Sequence, residues 1–234
     1  MNRKMYDYLL DEVKRVQYEV RKLIGVERYA QKVVRPYLHQ SLLEHLAALQ
    51  ITAKELRHLV DPGKEMDMQK VLNMLWIHDH GEIVTGDRID TRKTEDDSLE
   101  EDVVVQRVLN KIPQSSSDNA EDLLKEFKER KTKESRYAYA IDKLESHIWW
   151  CSLEGVRANR VLNLRKNING ERGDPLTLND LQYKRHRKEL EDFGFTNLIY
   201  FLDVIHDERT RFGLRDPISK TEIEEADRCG PIEH

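Results

Sequence analysis

The sequence predicts an all-α protein, and two observations support this expectation. Apolar residues recur every three or four positions along most of the 234-residue chain, which is the period of an amphipathic α-helix. No segment alternates apolar and polar residues for long enough to predict a strand of a sheet. Clusters of glycine, proline and small polar residues separate the helical segments. The core is therefore expected to lie between helices.

Three helices are predicted in the N-terminal third of the chain. The first covers about residues 6–24 and ends near Gly25, the second covers 41–60, and the third covers 67–78. Asp61-Pro62-Gly63 is a turn sequence that ends the second helix. The apolar face of this second helix consists of Leu42, Leu46, Leu49, Ala53, Leu56 and Val60.

Further helices follow in the C-terminal two thirds. They are predicted at 103–112, 120–131 and 134–154, with one or two more within 178–207. Residues 88–102 are polar and are expected to be part loop and part the start of an exposed helix. Residues 167–175 are expected to be a loop, and the last fifteen or so residues a loose tail. A chain of this length can bury one sizeable core. We expect that core in residues 1–154, with residues 155–234 forming a helical extension that includes the tail.

Composition excludes several classes of protein. Charged residues make up 35% of the chain and the net charge is −5, so no overall charge favours nucleic acid or an anionic membrane. Glutamates dilute the locally basic stretches at 125–136 and at 157–172 with 184–188, which argues against a nucleic-acid groove. No apolar run reaches the roughly 18–20 residues of a membrane span, and the N-terminus lacks a signal-peptide core. Two cysteines without CxxC spacing suggest a reducing compartment, and we expect a cytoplasmic protein.

The most informative segment is residues 71–87, which reads VLNMLWIHDHGEIVTGD. An apolar helical run ends in the adjacent pair His78-Asp79, and Glu82 and Asp87 follow within ten residues. Helical phase relative to Leu75 places His78 and Asp79 on the buried face. The same phase directs His80 away from that face.

Two residues from distant helices extend this cluster. His45 lies between Leu42 and Leu49 on the buried face of its helix, and Asp142 lies at the edge of the buried face of the 134–154 helix. Burying an unpaired carboxylate costs roughly several kcal/mol of folding free energy, and a bound divalent cation removes that cost. Neutral imidazoles and carboxylates are natural ligands of such a cation. Two histidines and two aspartates on inward faces therefore predict a metal site.

These motifs resemble those of the HD-domain phosphohydrolases, specifically the 5′-deoxynucleotidase-like branch. The resemblance covers about residues 9–150, and its order of histidine, His-Asp and aspartate is specific, whereas an isolated His-Asp dipeptide is not. Residues 123–135 also resemble the lead-in to the last motif of that branch. The segments that carry the resemblance are Glu44-His45, His78-Asp79 with Glu82 and Thr85-Gly86-Asp87, and residues 140–145, which read AIDKLE.

The resemblance implies an HD-domain helical bundle with a C-terminal extension and a metal-dependent hydrolase activity. One divalent metal ion (Mn, Co, Mg, Fe, Ni or Zn) would be held by His45, His78, Asp79 and Asp142. Glu82 would handle protons and Asp87 would orient the substrate or nucleophile. The implied reaction is hydrolysis of a deoxynucleoside 5′-monophosphate to deoxynucleoside and phosphate by a metal-activated water.

The family also takes a phosphate-binding arginine from the segment before its first histidine. Arg28 and Arg35 are both available, and Arg28 is preferred, with Tyr29 as the neighbouring aromatic residue. The family usually has tryptophan at the position of Tyr29, where it helps to recognise the sugar. Selection of deoxyribose over ribose therefore does not follow from the resemblance.

Other functions stay open at this point. A dNTP triphosphohydrolase or another nucleotide hydrolase shares the scaffold, although the histidine-rich sequence of the triphosphohydrolases and the acidic pair of the alarmone hydrolases are absent. A nucleotide-binding regulator without turnover is the alternative of another class, and retention of the four ligands and Glu82 argues against it. A homodimer is compatible with the aromatic residues around 193–202. His39, His58, His147, His186 and His206 are not assigned to a site.

Overall fold

The structure, a computed structural model, describes residues 25–26, 40–85, 119–151, 160–161, 164, 177–215, 217 and 219–228. The all-α expectation is confirmed, since these residues form helices and no β-strand. The helices are α1 (Leu42–Val60), α2 (Met68–Ile77), α3 (Glu82–Thr85), α4 (Ala120–Glu129), α5 (Lys133–Trp149), α6 (Thr177–Asp192), α7 (Thr196–Arg215) and α8 (Lys220–Arg228). Within these residues, none of the helices combines the length and the apolar character that crossing a membrane would require.

The chain divides into two compact units, each built from separate stretches of sequence. Of the described residues, the first unit contains 25–26, 40–51, 67–85 and 119–138. The second unit contains 52–66 and the described residues from 139 onwards. The boundary expected at residue 154 stays a prediction. The helices predicted at 6–24 and 103–112 and the loop predicted at 167–175 lie outside the described residues.

Helix α1 begins at a capping box and ends at the predicted turn. The Ser41 backbone N–H and hydroxyl both donate to the Glu44 carboxylate, and the Glu44 N–H donates to the Ser41 hydroxyl in return. At the other end, the buried Asp61 carboxylate accepts the backbone N–H groups of Glu65 and Met66. The predicted apolar face is buried from Leu42 to Leu56. These contacts fix the helix that carries His45.

Helix α2 begins at Asp67, whose side chain accepts the Lys70 N–H as an N-cap. It ends at Ile77, one residue earlier than expected, with His78 as the C-cap residue. Ile77 packs against Ala120 and Leu124 of α4, and Trp76 and Leu123 flank this contact. An ion pair of 2.6 Å between Lys70 and Glu126 joins the same two helices. Helix α4 therefore holds the end of α2 in place.

Helix α5 is the most deeply buried of the described helices. Its start is capped reciprocally, since the Ser135 N–H donates to the Thr132 hydroxyl and the Thr132 N–H donates to the Ser135 hydroxyl. Every residue from Tyr137 to Asp142 is buried, so burial is not confined to one face. Towards the C-terminal end of the helix burial decreases, and Ile148 is 37% exposed.

Helices α6 and α7 form a helical hairpin within the second unit. Gly194 closes α6 in the left-handed conformation, with φ of +74°. The Gly194 N–H donates to the Glu191 carbonyl and the Phe195 N–H donates to the Leu190 carbonyl, which together make a Schellman motif. A side chain at position 194 would strain this turn even though space for a Cβ is open.

The last residues of the chain were expected to form a loose tail, and α8 corrects this expectation. The Ser219 hydroxyl and N–H donate to the Glu222 carboxylate, and the Glu222 N–H donates to the Ser219 hydroxyl. This is a second capping box, written in the sequence as SKTE. Glu222 also pairs with the buried Arg160 at 2.9 Å. Ala226 packs against Val161 and Leu164, so the helix also has an apolar anchor.

Two buried histidines join α5 to α6. His147 Nε2 and His186 Nδ1 lie 2.8 Å apart, and the two rings meet edge to face. One ring donates the hydrogen bond and the other accepts it, so at least one of them is neutral. Both side chains are almost completely buried, which makes the bond a structural link between the two helices.

Replacing His186 with alanine should destabilise the protein. The substitution opens a cavity and leaves the buried His147 nitrogen without this partner, and we expect a loss of about 2–4 kcal/mol in the free energy of unfolding. Urea denaturation followed by circular dichroism measures it. His58→Ala, at an exposed histidine of α1, is the matched control and should change stability by less than about 0.5 kcal/mol. Equal effects of the two substitutions would contradict the structural role of the pair.

Candidate metal centre

Three predicted ligands lie together in the first unit. Helix α1 places His45 on its buried face, where the side chain is completely inaccessible to solvent. His78 caps the end of α2, and Asp79 begins the turn that follows. The side chains of His78 and Asp79 are 4% and 19% exposed. The end of α2 therefore presents its polar groups to a nearly dry environment.

Each of the two histidines directs its Nε2 atom towards the carboxylate of Asp79. His45 Nε2 lies 3.5 Å from Asp79 Oδ2, and His78 Nε2 lies 3.1 Å from the same oxygen. The two ring centroids are 6.1 Å apart and the ring planes are inclined by 56°. The rings are thus not stacked on each other, and both face the Asp79 carboxylate.

The other nitrogen of His78 fixes its tautomer. Nδ1 lies 2.9 Å from the Leu75 carbonyl oxygen, which can only accept, so Nδ1 carries a proton. In the neutral ring, Nε2 then presents a lone pair to the Asp79 oxygen, and two acceptors at 3.1 Å repel each other. A second proton on the ring or a cation shared by both groups removes the repulsion. Histidine ligands of metals commonly donate their second N–H to a backbone carbonyl in this way.

Asp142 completes the donor set. One ligand atom from each of His45, His78, Asp79 and Asp142 lies within 4.8 Å of the others. The Asp142 side chain is only 8% exposed, and its Oδ2 lies 3.0 Å from the Lys143 ammonium. Two imidazole nitrogens and two carboxylate oxygens suit a divalent transition metal and balance its charge. The residues therefore fit the predicted ion, and their role as ligands stays a prediction.

Phe127 was not predicted as part of this site. Its ring, on α4, lies 4.9 Å from the His78 ring, so it shields one side of this histidine from water. The segment 123–135 was noted only for its resemblance to a family motif. Spacing alone could not identify the contact, because it depends on how α4 packs against α2.

His80 was expected to point away from the buried face, and this was wrong. The side chain is 3% exposed and its ring meets Trp76 edge on, at 5.7 Å between centroids. Helix α2 ends at Ile77, so helical phase does not extend to residue 80. Burial, followed by the neighbouring His78, lowers the pKa of His80 to about 4, which keeps the ring neutral at physiological pH.

Glu82 begins the short helix α3, and its N–H donates to the Asp79 carbonyl. The side chain is 7% exposed, and it is not one of the four groups that come together. Its proton-handling role stays a prediction, as does the orienting role of Asp87. Asp87 and the predicted substrate-binding residues Arg28, Tyr29 and Arg35 lie outside the described residues.

The described residues combine a helical fold with an inward His/Asp cluster, and sequence comparison identifies the family. The HD domain model matches residues 22–169, so the chain belongs to the HD domain family. This confirms the resemblance at the level of the family, while the 5′-deoxynucleotidase-like branch stays a prediction. A search of curated proteins found no match.

Two solved structures are similar in fold. One is a predicted metal-dependent phosphohydrolase from Magnetospirillum magnetotacticum MS-1, 20% identical, with a TM-score of 0.64 over 87% of this chain and 96% of the other. The second is a conserved hypothetical protein from Pyrococcus furiosus, 17% identical, with a TM-score of 0.57 over 85% of this chain and 99% of the other. At these identities the similarity shows the fold.

Asp79→Ala should abolish metal binding, because it removes the carboxylate that both histidines face. The chain is loaded with Mn²⁺ or Co²⁺, desalted and analysed for metal by mass spectrometry. Metal content near one ion per wild-type chain should fall close to zero in the variant. Asp122→Ala, at an exposed aspartate of α4, is the matched control and should keep the wild-type content. Full occupancy in Asp79→Ala would remove this centre from consideration.

Proposed function

We propose that this protein is a metal-dependent phosphohydrolase. The observation that carries the proposal is the orientation of His45 and His78, whose Nε2 atoms both face Asp79 while His78 Nδ1 is held by a backbone carbonyl. A buried arrangement of this kind is costly without a cation. Membership of the HD domain family and the name of the Magnetospirillum neighbour support a phosphohydrolase rather than a purely structural metal site.

The protein residues have separate tasks in this proposal. His45, His78, Asp79 and Asp142 hold the ion, and a bound divalent cation lowers the pKa of water and neutralises charge that develops on phosphoryl oxygens. Burial of the two histidines limits the water around the site, which strengthens electrostatic interactions within it. The ligand set would thus hold the ion at a fixed position.

Glu82 is the proposed proton-transfer group. Glu82 is buried and lies only a few residues after His78 and Asp79 in the sequence. Its carboxyl group is not one of the four proposed ligands. A carboxylate in this position can accept the proton of the attacking water and return it to the leaving alcohol. Glu82 would therefore act on the reacting atoms without holding the metal ion.

The proposed substrates are deoxynucleoside 5′-monophosphates, hydrolysed to deoxynucleoside and phosphate. The motif order and the AIDKLE segment support this choice, because they resemble the 5′-deoxynucleotidase-like branch. Asp87 would orient the substrate or nucleophile. Arg28 or Arg35 would bind the phosphate, with Tyr29 against the sugar or base.

A phosphate-release assay tests the proposal. Purified protein is incubated with deoxynucleoside and ribonucleoside 5′-monophosphates of every base, with dNTPs and with guanosine tetraphosphate, each with and without Mn²⁺, Co²⁺ or Mg²⁺. Metal-dependent release from the deoxynucleoside monophosphates is the expected result. Preference for triphosphates or for guanosine tetraphosphate would replace the substrate proposal and keep the phosphohydrolase. Binding of nucleotides without any turnover would instead support a regulator.

Glu82→Gln should separate catalysis from metal binding. Loss of the proton-transfer group should lower kcat by ~10²-fold or more, while the metal content stays at the wild-type value. Glu55→Gln, at an exposed glutamate of α1, is the matched control and should change neither quantity. If Glu82→Gln loses the metal, Glu82 is a ligand and the proposed division of tasks is wrong.

A further inference from the structure

Lys143 contacts a proposed metal ligand directly. Its ammonium nitrogen lies 3.0 Å from Asp142 Oδ2, and the lysine side chain is 22% exposed whereas that of Asp142 is 8% exposed. The pair therefore joins a partly solvated cation to a nearly buried carboxylate. At this distance the ammonium can donate a charge-assisted hydrogen bond to the carboxylate oxygen.

The geometry of an α-helix does not by itself produce this contact. Side chains of adjacent residues diverge by about 100° around the helix axis, so they do not normally face each other. The Lys143 side chain instead folds back along α5 to Tyr139, one turn earlier, and its ammonium lies 5.1 Å from the centre of that ring. A cation over an aromatic face is attracted to it.

Tyr139 is itself held by α6. Its hydroxyl donates to the Glu189 carboxylate, at 3.1 Å from both oxygens, and Phe193 meets its ring edge on. The ring is 9% exposed and has little freedom to move. A continuous series of contacts thus runs from Glu189 through Tyr139 and Lys143 to Asp142.

We propose that Lys143 is a positioning residue that holds the Asp142 carboxylate in its ligand orientation. The inference rests on the metal centre of the proposed function, and it adds a residue that does not touch the metal ion. Holding Oδ2 restricts rotation of the carboxylate about its last side-chain bond, so the other oxygen keeps a fixed direction. The charge of Lys143 also offsets the cost of burying Asp142 before an ion binds.

Removing the Lys143 ammonium would affect the metal affinity in two opposite ways. The ammonium repels a divalent cation, so its removal by itself would tighten metal binding. This repulsion is screened, because water reaches the partly exposed ammonium. Loss of the hydrogen bond frees a buried ligand, and loss of such partners typically weakens metal affinity by about 10–100-fold. We therefore expect weaker binding.

The test is titration calorimetry of the metal-free full chain with Co²⁺, on the wild type and on Lys143→Met and Lys143→Arg. Methionine keeps the apolar stem against Tyr139, and arginine keeps the charge and the donor. Lys143→Met should raise Kd by about 10–100-fold, and Lys143→Arg should restore it to within about threefold. The visible spectrum of bound Co²⁺ should change in Lys143→Met and return in Lys143→Arg, which a loss of packing alone would not produce.

Matched controls separate the possible outcomes. Lys188→Met, at an exposed lysine of α6, should bind Co²⁺ like the wild type. In an Asp142→Asn background, Lys143→Met should have little further effect, because the two residues act together. If Lys143→Met fails to fold, as judged by circular dichroism, Lys143→Gln replaces it with the same expected loss.

Two results would overturn different proposals. Unchanged or tighter Co²⁺ binding in a folded Lys143→Met or Lys143→Gln variant would overturn the positioning role. Wild-type binding in Asp142→Asn would instead remove Asp142 from the proposed metal centre, and the positioning role with it. Loss of binding in Asp142→Asn together with wild-type binding in Lys143→Met would leave the metal centre supported and only the role of Lys143 rejected.

Discussion

The contact between the Asp79 carboxylate and the two imidazole Nε2 atoms is the constraint on which the arrangement of the first unit depends. Since His78 Nδ1 donates to the Leu75 carbonyl, a neutral His78 ring turns the lone pair of Nε2 toward the Asp79 oxygen at 3.1 Å, and this contact is favourable only with added positive charge. The surrounding helices hold the carboxylate and the two imidazoles together, whereas free side chains would move apart and be hydrated. Capping at Ser41 and Asp67 fixes the starts of α1 and α2, and the packing of Ile77 against α4 fixes the end of α2.

The end of α2 explains which of the predicted side-chain directions agree with the structure. His45 lies in the middle of a long helix, so its buried position follows directly from the apolar residues around it. His78 is the C-cap residue and still follows helical phase, whereas His80 lies in the turn beyond it and does not. Helical phase predicts the direction of a side chain only as far as the backbone hydrogen bonds of the helix continue. The wrong direction predicted for His80 and the correctly predicted burial of His78 therefore have the same cause.

Other differences from the sequence-based expectations arise from interactions that hydrophobic period does not report. Helix α8 is polar, so hydrophobic period does not predict it. Its start is marked by the Ser219–Glu222 capping box, and the Arg160–Glu222 ion pair holds it in the structure. Ile148 matches the period of α5 but lies beyond the part of that helix that is buried on all sides. Lys143 is part of the AIDKLE motif, but the sequence does not predict its contact with Asp142. The lysine side chain reaches Asp142 while it packs against Tyr139, which α6 holds in place. Contacts between distant helices set these positions.

The charges of the proposed centre limit how it can select a substrate. A divalent cation held by Asp79 and Asp142 would be balanced by these two carboxylates, so the ion and its ligands together would carry no net charge for attracting a phosphate. Lys143 adds one positive charge, but its ammonium is engaged by Asp142. A further cation would strengthen the attraction of a phosphate dianion, and this is the role predicted for Arg28 or Arg35. The described residues would then supply the reacting centre, and affinity for the phosphate would depend on the segment before His45.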